Sequence, residues 1–211
     1  MSTGSERIDL RSRSSHPRAA WIGAAVLAVL VIFGLATPGA PHVTGGRVLV
    51  VGDSLTNGSN AEVRNALTTA GWEAVVDGRG GWSIGHWREP LIELANFAKP
   101  DVAVVALGTN NCDRTCRRLG PEIDAIVETL LDAGVQEILW VNIQESAPYP
   151  ADPATVNDEI ERAAVRWRQV KVVDLDSVFA GHPEWHLDDG IHFNAAGAVR
   201  FADLLVASLA S

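Results

Sequence analysis

From residue 47 to residue 209 the chain alternates short β-branched apolar runs with segments of helical periodicity, and this limits the fold more than any other feature. Arg47-Val48-Leu49-Val50-Val51 runs into Gly52 without polar alternation, so it reads as a strand buried on both faces. Further strands are expected at 73–77, 101–107, 136–142 and 170–174. Helices are expected at 60–70, 87–98, 121–132, 153–167 and 195–209. Their punctuation agrees: Gly71 and Gly134 follow helices, Pro100 ends one, and Pro121 is taken as the first residue of another. Five buried strands separated by helices imply a parallel sheet covered on both faces, and ligand sites in such sheets lie at the carboxyl ends of the strands.

The residues before this region differ in kind. Arg7, Arg11, Arg13 and Arg18 lie in a basic leader (1–18), an apolar run covers 19–36, and a Pro- and Gly-containing linker covers 37–46. That layout predicts a cleaved export signal or a membrane anchor, with the arginines cytoplasmic and residues 47–211 outside the membrane. A net charge of -9, from 17 basic and 26 acidic side chains, argues against a nucleic-acid partner. It also leaves membrane contact to the N-terminal apolar segment alone. Two cysteines exclude a disulfide-dense scaffold and a four-thiolate zinc site. Outside the cytoplasm, Cys112 and Cys116 are expected to pair if a helical turn brings them together.

Four segments then fall at or after strand ends: Gly52-Asp53-Ser54-Leu55, Gly78-Arg79-Gly80-Gly81-Trp82-Ser83, Gly108-Thr109-Asn110-Asn111 and Asp188-Asp189-Gly190-Ile191-His192. Each alone could be a turn or a helix cap. Together they supply what acyl transfer requires. Ser54 offers a hydroxyl, His192 a base, and Asp188 or Asp189 a carboxylate to orient that base. The backbone N–H groups of Ser54 and Gly81 and the Asn110 amide offer donors for a developing oxyanion.

The set resembles the SGNH hydrolases, the GDSL-type esterases and lipases, over residues 47 to about 209. Ser54 matches the nucleophile of Gly-Asp-Ser-Leu, Gly81 the second-block glycine and Asn110 the third-block asparagine. Asp189 and His192 match the final Asp-x-x-His, which selects Asp189 over Asp188. The resemblance implies a three-layer α/β/α flavodoxin-like fold with a five-stranded parallel sheet. It also implies cofactor-free and metal-free hydrolysis of carboxylic esters, with a lipid, glycan or small-molecule ester as substrate. One departure stands out: Asn111 occupies a position that is commonly aspartate, a change expected to alter local support rather than the triad.

Competing readings are weighed on the same residues. His182, His186, Asp188, Asp189 and His192 cluster within eleven positions but lack the His-Glu-x-x-His arrangement, so no metal is expected. Trp82, Trp87 and Trp185 are candidates for a pocket wall or for ordinary packing, and Arg79 and Arg88 for an anionic substrate or for solvent. An O-acyltransferase would use the same triad, and a non-catalytic carbohydrate-binding module would keep the pocket without turnover. A nucleotide-binding reading is disfavoured because Asp53 stands where phosphate would sit.

Overall fold

The computed structural model of the chain describes residues 45–111, 118–149 and 152–210. The apolar run 19–36 and the pair Cys112 and Cys116 lie outside these residues. Among the described residues no helix is long and apolar enough to cross a membrane.

The five strands form one parallel sheet in the order β2-β1-β3-β4-β5: β1 Arg47–Gly52, β2 Glu73–Gly78, β3 Val102–Ala106, β4 Glu137–Val141 and β5 Val170–Val173. Val50 pairs in register with Val76 on one side and Val104 on the other, which places the ends of β1, β2 and β3 side by side. Alternate residues of β1 serve opposite faces. Leu49 and Val51 pack with Trp87, Leu91, Ile123 and Ile160, from the side carrying α3 (Arg88–Ala98), α4 (Leu119–Asp132) and α5 (Pro153–Arg166). Val48 and Val50 pack with Val63, Phe201 and Leu205, from α2 (Asn60–Thr69) and α7 (Ala195–Leu209). The expected three-layer α/β/α architecture is therefore the one observed.

The differences from the sequence reading are local. Two five-residue helices, α1 (Ser54–Gly58) and α6 (Leu175–Phe179), are too short to show periodicity; each starts at an aspartate that caps it, Asp53 and Asp174. The helix placed at 87–98 begins instead as a 3-10 turn over Ile84–Trp87 before α3. α4 starts at Leu119, two residues ahead of Pro121. A proline is tolerated there because the first four N–H groups of a helix have no intrahelical partner to lose. Helix α1 presses directly on the end of β1: a Cβ on Gly52 would lie 1.9 Å from Thr56 Oγ1, so only glycine lets that helix start where it does.

Candidate active site

The strand ends converge as the topology requires. Ser54 is the first residue of α1, and the Asp53 side chain caps that helix by accepting from Leu55 N at 3.0 Å. From the far end of the chain, the loop before α7 carries His192 across to it, where His192 Nε2 lies 2.9 Å from Ser54 Oγ. His192 Nδ1 lies 2.7 Å from Asp189 Oδ2. Because the carboxylate can only accept, Nδ1 carries the proton and Nε2 is left to accept from the serine hydroxyl.

The Asp-x-x-His spacing has a local cause. Asp189 Oδ1 accepts from the backbone N–H groups of Ile191 and His192, both at 2.9 Å, so one oxygen folds the turn while the other orients the imidazole. These two backbone bonds and the imidazole hold Asp189 down to a pKa of about 2, with the Ile191 N–H the largest contributor. The loop is fastened at its base by Leu187 N donating to His192 O at 2.7 Å. Beyond it Asn194 caps α7 through Ala196 N and Gly197 N, while its amide donates to Glu184 O and His186 O. Asp188, the alternative carboxylate, is exposed.

The three donors expected at the oxyanion position sit on separate strand ends. Gly81 has φ +74, a left-handed conformation that glycine adopts without strain, and open space surrounds its Cα. Asn110 Nδ2 donates one hydrogen to Trp82 O at 3.1 Å, which ties the third block to the second and leaves its other hydrogen available. The N–H of Ser54 belongs to the unpaired first turn of α1.

Asn111 faces the other way. It is buried, accepts from Ile84 N at 3.0 Å and donates to Glu122 Oε2 at 3.4 Å, so the unusual residue bridges the 3-10 turn and α4.

A second carboxyl stands beside the nucleophile in the opposite environment. Asp53 is 1% exposed, and burial pushes its pKa up to about 6 despite its bond from Leu55 N. Its Oδ2 is enclosed without a hydrogen bond, and the nearby Thr109 side chain offsets part of the effect of burial. Tyr149 is partly buried, and desolvation, with a smaller electrostatic effect of Asp53, raises its phenol to about 12. Neither Thr109 nor Tyr149 was singled out in the sequence. Thr109 had a signal, its place between Gly108 and Asn110; Tyr149 lies in an irregular segment and had none.

The remaining candidates separate. His182 stacks on Trp185 at 3.8 Å and faces Glu184 Oε1, while His186 Nε2 lies 2.8 Å from Gln144 Oε1. Among the described residues no group of three His, Cys, Asp or Glu side chains is arranged to hold a metal. Trp87 is fully buried and belongs to the core, so of its two readings the structure shows ordinary packing and not a pocket wall. Arg88 is exposed. Arg79 is paired with Asp77 at 2.8 Å and lies over the Trp82 and Trp87 rings at 4.4 and 4.7 Å.

Comparison with known proteins points to one family. The model of the GDSL-like Lipase/Acylhydrolase family matches residues 50–200. O-acetyltransferase OatA of Staphylococcus aureus is 29% identical over 164 residues, covering 76% of this chain and 24% of that protein. An acetylxylan esterase of Xylanibacter ruminicola is 22% identical over 212 residues, covering 81% of this chain and 44% of that protein. The chain thus spans about a quarter of the length of the first of these relatives. Among solved structures, the C-terminal catalytic domain of Streptococcus pneumoniae peptidoglycan O-acetyltransferase A, carrying a methylsulfonyl adduct, superposes with a TM-score of 0.62 at 20% identity, over 78% of this chain and 93% of that one.

Proposed function

The chain belongs to the GDSL-like lipase/acylhydrolase family, and from that premise we propose that it is a serine esterase that removes short acyl groups, acetyl above all, from the hydroxyls of a glycan outside the cytoplasmic membrane. The observation that carries this reading is the unbroken hydrogen-bonded line from Ser54 Oγ through His192 to Asp189, at 2.9 and 2.7 Å. The acetyl group and the glycan are supported by the names of the relatives, an O-acetyltransferase and an acetylxylan esterase. The location is supported by the basic leader and apolar run of residues 1–36.

In the mechanism, His192 Nε2 takes the hydroxyl proton as Ser54 Oγ adds to the ester carbonyl. The oxyanion so formed lies among the Ser54 N–H, the Gly81 N–H and the free hydrogen of Asn110 Nδ2. Each such donor typically supplies about 3–4 kcal/mol of transition-state stabilisation. Collapse breaks the ester C–O bond, and the imidazolium gives its proton to the departing alkoxide. A water molecule then loses a proton to His192 and attacks the acyl carbon, releasing the acid and restoring the Ser54 hydroxyl. Asp189, ionised throughout, holds the imidazole tautomer and stabilises the imidazolium.

A second reading is favoured by the acetyltransferase relatives: a sugar hydroxyl replaces water in the last step on the same residues. A fluorophosphonate probe tests what both share. The full chain should be labelled on Ser54, and the label should vanish in Ser54→Ala and His192→Ala. An unlabelled, folded protein would overturn both readings and favour a binding module. Product analysis with and without an oligosaccharide acceptor then separates hydrolysis from transfer.

A further inference from the structure

We infer that the groove running from Arg79 along α3 binds the sugar chain of a neutral, polyhydroxylated substrate, a subsite that rests on the esterase reading and extends it from the reacting bond to the body of the substrate. The groove has a volume of about 580 Å³ and is lined by Arg79, Glu89, Pro90, Glu93, Leu94 and Phe97. Its α3 residues recur at intervals of three or four, so they form one stripe about 12 Å long on that helix.

The head of the groove is joined to the proposed oxyanion loop. Arg79 lies two residues before Gly81, and its backbone N–H donates to Gly52 O at 3.0 Å, at the root of the Ser54 block. Trp82 shares its ring with the Arg79 guanidinium and its carbonyl with Asn110. The groove therefore begins at a residue of the segment that carries Gly81.

The chemistry of the lining selects the ligand. Arg79 is held before any ligand arrives: Nε and Nη2 bond Asp77 at 2.8–3.2 Å, and the planar group lies against two indoles. Its Nη1 edge has no partner among the described residues. Glu89 and Glu93 have neither an ion pair nor a hydrogen bond there. Phe97 is 79% exposed and offers an apolar ring face at the far end of the groove. One cation faces three carboxylates, Asp77, Glu89 and Glu93, so an anionic ligand is repelled. A bare alkyl chain would leave these polar groups desolvated and unpaired. Sugar hydroxyls donate to the carboxylates and accept from the guanidinium, and the C–H face of the ring covers Phe97.

Two assays with the full chain test this. In the first, Ser54→Ala is titrated with xylohexaose, and with chitohexaose as an amino-sugar probe. Saturable binding of at least one is expected, weakened about tenfold by adding Phe97→Ala or Glu93→Gln. In the second, the same two substitutions in active protein should raise KM for the acetylated form of that oligosaccharide about tenfold. They should leave kcat/KM on p-nitrophenyl acetate within about twofold, because both side chains lie on the surface of α3 and touch no reacting atom. Binding of neither oligosaccharide, tighter binding of an oligogalacturonate, or equal losses on both esters would overturn the subsite. Intact oligosaccharide binding without any turnover of p-nitrophenyl acetate would instead overturn the esterase reading and leave the groove standing.

Discussion

Two carboxyls flank the same serine–histidine pair and are held in opposite ways. Asp189 lies in a loop with nearly half of its side chain exposed, and directed hydrogen bonds pull its pKa down to about 2. Asp53 lies under the nucleophile at 1% exposure, and loss of solvent pushes its pKa up to about 6. The base side of the site is thus ordered by local polar bonds that water can also reach, and the nucleophile side by burial between strand ends. Paired groups whose surroundings drive their pKa values apart are the usual mark of divided roles in acid–base chemistry. Here one carboxyl is kept charged beside the imidazole, and the other carries a charge only at a cost.

The sharpest way to break the base side is Asp189→Asn. The amide retains an oxygen for the Ile191 and His192 N–H groups, so the turn survives, but its NH₂ now donates toward Nδ1 and imposes the wrong tautomer. Under the proposed mechanism kcat should fall by about 10⁴-fold, with little change in KM. Retention of most of the activity would remove Asp189 from the mechanism. The low pKa adds a second expectation. Asp189 stays ionised down to about pH 2, so the loss of activity on mild acidification should belong to another group and should not follow Asp189.

The corresponding change on the nucleophile side is Asp53→Asn, and its signature is stability. The folded-state pKa of about 6 exceeds the ordinary value of 3.8, so the folded protein binds the proton more tightly than the unfolded chain does. Below about pH 3 both states are protonated and the group contributes nothing. As pH rises toward and past 6, the ionised form costs stability, by about 2–3 kcal/mol at full ionisation. Asparagine keeps the cap on Leu55 N and removes the charge. Denaturant unfolding should therefore find the variant more stable by about that amount at pH 7.5 and nearly equal to the parent at pH 3. A gain that is the same at both pH values would refute the buried-charge account.

These opposite environments also explain what could be read from the sequence. The strands were legible because β1 and β3 are apolar on both faces, and the order of the four blocks was legible because parallel strands bring their carboxyl ends together. Asp189 and His192 are three residues apart and meet through one local turn, so nearness in sequence narrowed the carboxylate to Asp188 or Asp189, and the family resemblance chose between them. The Asp53 environment was hidden: it depends on burial and on Thr109 and His192, which are remote in sequence and reach it only through the fold. The short helices α1 and α6 were missed because five residues hold barely one turn, less than a periodic pattern needs. Trp87 was placed near the site by its neighbours in sequence, yet the turn at Ile84–Trp87 directs its ring into the core.

Asn111 is the intermediate case, buried like Asp53 but ordered by specific bonds like Asp189, and it gives the smallest and most discriminating test. The sequence pattern suggested an aspartate, and the structure supplies a reason for asparagine. Its Oδ1 meets the Ile84 N–H, and its Nδ2 meets Glu122 Oε2 at 3.4 Å, a contact that needs a donor. Asn111→Asp would keep the first bond and set two carboxylates against each other at the second. Arg118, 3.9 Å from Glu122 Oε1 and largely exposed, can relieve only part of that repulsion. The variant should lose about 1–2 kcal/mol at pH 8. The loss should shrink toward pH 5, as one carboxyl of the pair takes up a proton. Adding Glu122→Gln should recover most of it, because the new amide can donate where Glu122 could only accept. If the loss persists in that double variant, the fault lies in the fit of the loop and not in the paired charges.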